Sequence, residues 1–440
     1  MTATHRTRRI RGTSFLLLIG LLAGTFFVQT EFGPTAWGST HCPPGAPNAT
    51  RPPGKAARIT DRLYSCPDGS IRNIRGRKIR LMGLEYFKLG WGSEGAGACD
   101  YAWTPLVDGA QRSIYNWGFN SVELFFSWQN LEPTPPTYNP ATGGLTHHYD
   151  PVFLAALDSA VHRLTKKGIA VVLAMMQARW SSAFQHIWTA EGTQYNCGLG
   201  MPAWIYELTD SAAGDGGDMV QAEVRFFQGK QVIHDPTGQG SEGMQHAFFH
   251  MWQFLVRHYR KNHKVVGALP LFESYDILTR TYEGADQVTP KTLNLAAFLE
   301  RAAKAIHRVN PSLLIMFTEQ KSHTTGKWSL TRRPRIPNGV VTAEFYAGRW
   351  STDGRRRMKQ YMARAHGWNY PLYIDEFDAF GMGRNRPKPW WATSTRDMLA
   401  FERRHQISWT FNSFGQGGFQ LPGSLTEPKP LLWKVLRRGF

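Results

Sequence analysis

The sequence predicts one large α/β domain folded as a (β/α)8 TIM barrel with long loops after strands one and three. Short apolar segments alternate with helical segments from residue 78 to the end of the chain, which is typical of a barrel of parallel strands. The chain has 440 residues, 42% of them hydrophobic, enough for a large core. A doubly wound open sheet is the alternative. However, the glycine-rich segment 415–418 opens no helix, so the dinucleotide-binding pattern is missing.

The N-terminal segment precedes the predicted barrel. Residues 1–38 combine a basic head with an apolar run, 14–28, as in a signal peptide or an uncleaved membrane anchor. We expect residues 39–57 to form a Pro/Gly-rich linker and residues 58–440 to form the barrel domain. We therefore expect an exported protein, secreted or held at the cell surface.

Four cysteines in an exported chain predict two disulfides. Cys42 and Cys66 precede the barrel, whereas Cys99 and Cys197 lie in long loops after strands, so these two pairings are favoured among the three that are available. The net charge of +18 suits contact with an anionic cell-surface polymer. Nucleic acid is not expected, because Arg and Lys are scattered and form no recognisable binding motif.

The elements follow in order. A turn at residues 67–70 predicts a hairpin that closes the bottom of the barrel. Residues 153–167 place apolar side chains three or four residues apart and end at Gly168, which indicates an amphipathic helix. The predicted strands are 78–85, 121–126, 169–176, a segment from 265 to Glu273, 313–318, 340–346, 372–374 and 407–411. Further helices are predicted up to Trp117 and at 247–263, 293–309, 355–366, 395–405 and the C-terminus.

Two glutamates follow apolar strands, Glu273 after the fourth and Glu376 after the seventh. The C-terminal ends of barrel strands share one face, so we expect the two carboxyl groups to meet there. A retaining glycosidase needs such a pair, one ionised to attack the sugar and one protonated to release the leaving oxygen. Glu376 is the predicted nucleophile and Glu273 the predicted acid/base. No cofactor is required.

Several segments resemble glycoside hydrolase family 5, the cellulase-like family of the large (β/α)8 glycosidase clan. They are Gly-Leu-Glu at 83–85, the stretch 117–128 with Leu-Glu-Pro at 131–133, and 167–173. The resemblance implies the acid/base on strand four and the nucleophile on strand seven, matching Glu273 and Glu376. It also implies that Tyr346 touches the nucleophile and that Trp409 stacks on the sugar.

The sequence departs from the family pattern on four strands. The position of a histidine on strand three falls among Met175, Met176 and Gln177. Phe272 replaces the asparagine that binds the sugar 2-hydroxyl, Glu123 replaces an arginine on strand two, and Glu344 replaces a histidine on strand six. Glu123 near the nucleophile would raise its pKa rather than lower it. Glu85, Glu123, Glu319 and Glu344 each lie near a strand end, where they either bind substrate or form a structural pair with an arginine.

Tryptophans on the proposed active face, Trp128 among them, either line sugar subsites or pack in the core. The leading hypothesis is an exported retaining glycoside hydrolase that cleaves a β-linked polysaccharide or glycoconjugate. Its substrate-binding candidates are Tyr346, Trp409, Trp128, Glu344 and Glu123. The alternatives are a non-catalytic carbohydrate-binding barrel and a transglycosylase that remodels cell-surface glycan.

Overall fold

A computed structural model describes most of the chain. The described residues are 42–46, 55–90, 103–177, 180–184, 186–189, 192–195, 199–207, 219–278, 288–322, 326–346, 350–377, 382–383, 386–387, 390–414 and 427–440. The predicted signal segment, 1–38, lies outside them. All of the described residues belong to one compact unit, Ser39–Phe440.

Eight parallel strands close into a barrel, which confirms the predicted fold. They are β1 (Met82–Tyr86), β2 (Ser121–Phe126), β3 (Ala170–Met175), β4 (Val265–Leu269), β5 (Leu314–Thr318), β6 (Gly339–Glu344), β7 (Leu372–Phe377) and β8 (Ser408–Phe411). Each strand pairs with the next in chain order, and β8 closes on β1 with Trp409 opposite Met82.

Helices pack around the barrel as the apolar periodicity predicts. They are α1 (Ala110–Trp117), α2 (Pro151–Lys166), α3 (Met244–Tyr259), α4 (Leu295–His307), α5 (Thr352–Gly367), α6 (Trp391–Arg404) and α7 (Pro430–Leu436). Gly118 and Gly168, which follow α1 and α2, have φ of 98° and 80°. This left-handed conformation favours glycine and ends a helix. The described residues between β5 and β6 contain no helix.

The connection between β3 and α3 carries structure of its own. It contains two short helices, Trp204–Glu207 and Met219–Gln228, and the antiparallel hairpins His186–Thr189/Gly192–Tyr195 and Val232–His234/Ser241–Gly243. The connection between β2 and α2 contains a short helix, Trp128–Leu131, and the hairpin Thr137–Asn139/Gly144–Thr146. Smaller elements elsewhere are Asp276–Leu278, Pro290–Leu293, Met382–Gly383, Arg386–Pro387 and Arg437–Gly439. Because the loops that follow barrel strands lie at the C-terminal face, the connections after β2 and β3 surround the predicted active site.

A three-stranded antiparallel sheet closes the bottom of the barrel, as the turn at 67–70 predicts. Its strands are Leu63–Ser65, Ile71–Asn73 and Lys78–Ile79. The expectation of one strand over 78–85 is wrong, because the chain leaves the bottom sheet at Arg80. The Arg80 guanidinium donates to the carbonyls of Ile407, at 2.9 Å, and Gly439, at 2.8 Å, and the barrel strand begins at Met82.

The predicted disulfide between Cys42 and Cys66 is present, with its Cα atoms 5.2 Å apart. It ties the start of the Pro/Gly-rich segment to the bottom sheet. The end of that segment also contacts the barrel, because Ala56 N–H donates to the Gly118 carbonyl at 2.9 Å. The second predicted pair, Cys99 with Cys197, falls outside the described residues. Within the described part of the chain, no helix has the length and apolarity needed to cross a bilayer.

Side chains on the barrel strands alternate between two cores. Inward side chains such as Phe125, Val172 and Tyr373 fill the barrel, together with Ile59 and Leu63 from the bottom. Outward side chains of the same strands pack against the helices in a second, larger core. The inward direction at each strand's C-terminal end therefore decides which polar residues face the pocket.

Candidate active site

Strand β7 presents two acidic side chains to the interior instead of one. Tyr373 points inward and Ile374 outward. The register then shifts against both neighbours, between Thr342 and Glu344 on β6 and between Ile374 and Phe377 on β7. Such an irregularity in a ladder re-aims side chains at strand ends. Glu376 is consequently directed to the interior at the C-terminal end of β7, where it is 8% exposed, and Asp375 is buried beside it.

Two donors converge on one oxygen of Glu376. The Tyr346 hydroxyl donates to Oε1 of Glu376, and Asn412 Nδ2 donates to the same oxygen at 2.5 Å and to the Tyr346 hydroxyl at 3.0 Å. Tyr346 follows β6 and is 39% exposed, and Asn412 follows β8. Hydrogen bonds to a carboxylate favour its ionised form and fix its orientation. The contact between Tyr346 and Glu376 that the resemblance implied is present.

Glu344 joins the two predicted catalytic glutamates. It ends β6 directly opposite Glu376 in the strand register and is 8% exposed. Burial raises the pKa of the Glu344 carboxyl well above its usual range, and the charges of Glu273 and Glu376 raise it further. Both charges therefore lie close enough to Glu344 to act on it. The three carboxyl groups therefore lie together at the C-terminal face, and Glu344 is as buried as Glu376.

Glu273 lies in the turn after β4, not at the end of the strand as expected. The strand ends at Leu269, and Glu273 has φ of 48°, a left-handed conformation that costs a non-glycine residue of the order of 1 kcal/mol. Gln177 Nε2 donates to the Glu273 carbonyl at 2.9 Å and holds this turn. Phe272 packs inward on Phe125, with 4.9 Å between ring centroids, so an apolar ring occupies the position beside the acid.

A second layer of acids lies deeper in the barrel. Glu85 and Glu123 have no exposed surface, and neither oxygen of Glu85 has a hydrogen-bond partner among the described residues. Tyr373 donates its hydroxyl to Glu123 Oε2 at 3.2 Å. Burial raises the pKa of Glu85 and Glu123 well above their usual range, and it raises the pKa of Asp375 to about 7.

The expectation that Glu123 binds substrate is wrong in this structure, because its carboxyl group lies inside the barrel out of reach of a sugar. Burial raises the pKa of Glu123, and the charges of Asp375 and then Glu376 raise it further. The effect of Glu123 on the pKa of Glu376 stays a prediction.

Two of the tryptophan assignments are wrong for the same reason. Trp409 is fully buried on the outward side of β8, stacked on Phe440 with 5.8 Å between ring centroids and in edge contact with Phe119. Trp128 is fully buried against Trp204 and Phe248, and its Nε1–H donates to Glu132 Oε2 at 2.7 Å. Both rings pack in the core, so neither can stack on a substrate.

Glu319, another strand-end acid, follows the structural alternative. Its Oε1 accepts from Arg364 Nε at 2.9 Å, and its Oε2 accepts from Ser329 Oγ and Leu330 N–H. Burial raises the pKa of Glu319 to about 7, although Arg364 and these hydrogen bonds lower it. Glu319 fixes the loop after β5.

Sequence reasoning missed Asn412, which follows β8 and bonds to Glu376. The signal was available in the parity of β8. If Ser408 and Thr410 point inward, then Trp409 points outward and Asn412 inward. The family resemblance implied a role for Trp409 instead, three residues before Asn412 in the chain.

Comparison with known proteins agrees with the fold. The family described as cellulase (glycosyl hydrolase family 5) matches residues 75–418. No curated protein matches the chain. An endogalactoceramidase structure shares 21% identity over 86% of this chain and 85% of its own, with a TM-score of 0.61. Endo-glycoceramidase II from Rhodococcus sp. shares 18% identity over 86% and 81%, with a TM-score of 0.57. A hyperthermostable endocellulase shares 15% over 87% and 100%, with a TM-score of 0.53.

Proposed function

We propose that this chain, which belongs to glycosyl hydrolase family 5 and is a glycoside hydrolase, cleaves a β-linked polysaccharide or glycoconjugate by double displacement. Glu376 is the nucleophile and Glu273 the acid/base. The observation that carries the proposal is the environment of Glu376, a carboxylate at the C-terminal end of β7 that accepts hydrogen bonds from Tyr346 and Asn412. Family membership also favours a glycosidase over the non-catalytic barrel.

In the first step, a Glu376 oxygen attacks the anomeric carbon while Glu273 gives its proton to the glycosidic oxygen. The bond between that carbon and oxygen breaks, the leaving group departs as an alcohol, and a covalent glycosyl-enzyme forms. In the second step, Glu273 takes a proton from water, the water oxygen attacks the anomeric carbon, and Glu376 leaves as a carboxylate. Protons and electrons balance without a metal ion or a redox partner.

The structural neighbours support both the step and the substrate class. Endo-glycoceramidase II has been captured as a lactosyl-enzyme intermediate, a glycosyl-enzyme of the kind proposed here. The neighbours include enzymes of glycolipids and of cellulose, and we propose that this chain acts on a sugar chain of one of these β-linked classes. This chain differs from the family pattern at Phe272, whose side chain cannot form a hydrogen bond with a sugar hydroxyl.

We also propose that the protein acts outside the cytoplasm. The basic and apolar segment at residues 1–38 resembles an export signal, and a disulfide such as Cys42–Cys66 persists in oxidising compartments. The excess of positive charge would favour residence at an anionic cell-surface polymer.

Azide rescue tests the assignments directly. The full chain is assayed on dinitrophenyl β-cellobioside and β-lactoside, beside cello-oligosaccharides and galactosylceramide. Replacing Glu376 with Ala should reduce kcat by at least about 1,000-fold, and azide should restore turnover with an α-glycosyl azide as the product. Replacing Glu273 with Ala should spare the activated substrates more than the natural ones, and azide should then yield the β-glycosyl azide.

Glu300→Ala, an acid near the opposite end of the barrel that pairs with Arg332, is the matched control and should keep full activity. Unrescued activity that survives Glu376→Ala would reject the nucleophile assignment. Products longer than the substrate, without free reducing ends, would favour the transglycosylase.

A further inference from the structure

A second cluster of chemically active side chains lies away from the three carboxyl groups. Ligand atoms of His147, Glu242 and His250 all lie within 4.8 Å of one another. His147 follows the hairpin between β2 and α2, Glu242 lies in the hairpin before α3, and His250 lies on α3. Two imidazoles and a carboxylate are a ligand set that zinc takes in proteins.

The ring of His147 is oriented as a metal ligand's ring would be. Its Nδ1 bonds to Oε1 of Glu132, a carboxyl group without exposed surface, at 2.6 Å, and its Nε2 faces Glu242 Oε1 at 2.7 Å. Metal-bound histidines commonly give their other ring N–H to a carboxylate, which fixes the tautomer and the ring plane. Tyr149 stacks on the same ring, at 6.2 Å and 11°.

The carboxylate is oriented in the same manner. Glu242 Oε2 bonds to His246 Nδ1 at 2.9 Å, four residues further along the chain, which leaves Oε1 facing His147. His250 lies one helical turn after His246, with 4.3 Å between their ring centroids and 5.6 Å between His250 and His147. Donor atoms on tetrahedral zinc stand roughly 3.3 Å apart, which lies between the 2.7 Å from His147 Nε2 to Glu242 Oε1 and the 4.8 Å within which all three ligand atoms lie.

We propose that His147, Glu242 and His250 bind a divalent transition-metal ion, with Zn²⁺ as the favoured ion, and that the ion joins the two insertions around the active face. Water completes the coordination. Imidazole ligands select against Mg²⁺ and Ca²⁺, which prefer oxygen. We assign the ion a structural role because its ligands come from two different insertions and from α3, and include none of Glu273, Glu344 and Glu376.

The hairpins joined by this site already pack closely. A Cβ atom placed on Gly240 would stand 2.6 Å from Leu145 Cδ2 and 2.7 Å from Tyr138 Cδ2, so the two hairpins are in close contact at this point. Glu132 extends the connection, because its other oxygen accepts from Trp128 and its carbonyl accepts from Trp204 Nε1 at 2.9 Å. An ion here would therefore stabilise the wall formed by both insertions.

An ion-pair network without metal is the competing explanation. That network needs His147 between Glu132 and Glu242, and it makes no use of His250. Replacing His250 with Gln therefore separates the two explanations, since it removes a ligand and leaves both ion pairs intact.

The test uses the full chain without a polyhistidine tag, stripped with a chelator and dialysed. Titration calorimetry with Zn²⁺ should give one site per chain, and Co²⁺ should give the strong visible absorption of four-coordinate geometry. Zn²⁺ should also raise the Tm by a few degrees. His250→Gln should weaken Zn²⁺ binding at least 100-fold and abolish the Tm increase. Glu132→Gln should weaken it about 10- to 100-fold.

His258→Gln is the control, since this histidine lies on the same helix and pairs with Asp158 instead. It should bind Zn²⁺ as the parent does. Circular dichroism checks that every variant is folded. The proposal is overturned if the parent binds no Zn²⁺ stoichiometrically, or if His250→Gln binds it with the parent's affinity.

Discussion

The hydroxyl group of Tyr346 donates a hydrogen bond to Oε1 of Glu376, across the gap between β6 and β7. Tyr346 is partly exposed whereas Glu376 is almost buried, so the tyrosine reaches from the surface to a carboxylate in the interior. Asn412 supports the same oxygen from β8. Residues on or after three neighbouring strands of the barrel therefore position one carboxylate. Removing one of the two donors should lower the activity.

Replacing Tyr346 with Phe removes one donor without changing the shape of the ring. A hydrogen bond to a charged group contributes about 1.5–3 kcal/mol, so we expect kcat/KM to fall about 10- to 100-fold while the fold is retained. Steady-state kinetics on an aryl β-glycoside measures the effect. Tyr64→Phe, in the bottom sheet, is the control and should leave kcat/KM unchanged. Equal kinetics for the two variants would mean that the contact with Glu376 has no catalytic role.

Replacing Glu344 with Gln should move the pH profile of activity. Burial raises the pKa of Glu344, and the charges of Glu273 and Glu376 raise it further. Because the repulsion between these carboxylates is mutual, the protonation of each group depends on that of the other two. Removing one acid reduces the repulsion that retains the remaining proton. The alkaline limb of kcat/KM should therefore shift to lower pH. Measurements between pH 4 and 9 check this, and an unshifted limb would show that Glu344 is not coupled to the reacting acids.

Replacing Glu85 with Gln should reduce the pH dependence of stability. Burial raises the pKa of Glu85 in the folded chain well above its usual range. As the pH rises above the ordinary pKa, the unfolded chain loses this proton while the folded chain keeps it, so stability falls. Each such group contributes at most about 1.4 kcal/mol per pH unit. The parent should be more stable at pH 5 than at pH 8, and the variant less sensitive. Urea unfolding at both pH values measures the free energy of unfolding. The prediction is refuted if this free energy changes by the same amount between pH 5 and pH 8 in the parent and in the variant.

Replacing Trp409 with Phe tests the correction at β8. The indole is fully buried between Phe119, Phe377 and Phe440, so a smaller ring leaves a cavity. We expect a loss of about 1–3 kcal/mol in the free energy of unfolding and no change in KM beyond about twofold. Urea unfolding and steady-state kinetics together check this. A raised KM with undiminished stability would place the ring against the sugar after all.

The sequence predicted the barrel because each strand is a short apolar run and each helix has an apolar face. Those patterns follow from burial and extend along the whole length of an element. An error of a few residues at the end of an element therefore does not change the predicted fold. The bottom hairpin and the pairing of Cys42 with Cys66 were likewise predicted, because turn chemistry and position before the barrel are local properties. Glu376 stood out as a carboxylate ending an apolar strand.

Only the tertiary structure decided which strand-end residues face the pocket. The irregularity of β7 turns both Asp375 and Glu376 inward, and no local pattern announces it. Packing also decided which alternate side chains of β8 face the interior, which places Trp409 against the helices and Asn412 at the pocket, and Glu123 lies too deep in the barrel to meet a substrate. His147 and Glu242 are 95 residues apart in the chain and meet only because two hairpins pack together. Periodicity reports burial along one element, whereas a site depends on distances between elements, and the packing of the whole barrel sets those distances.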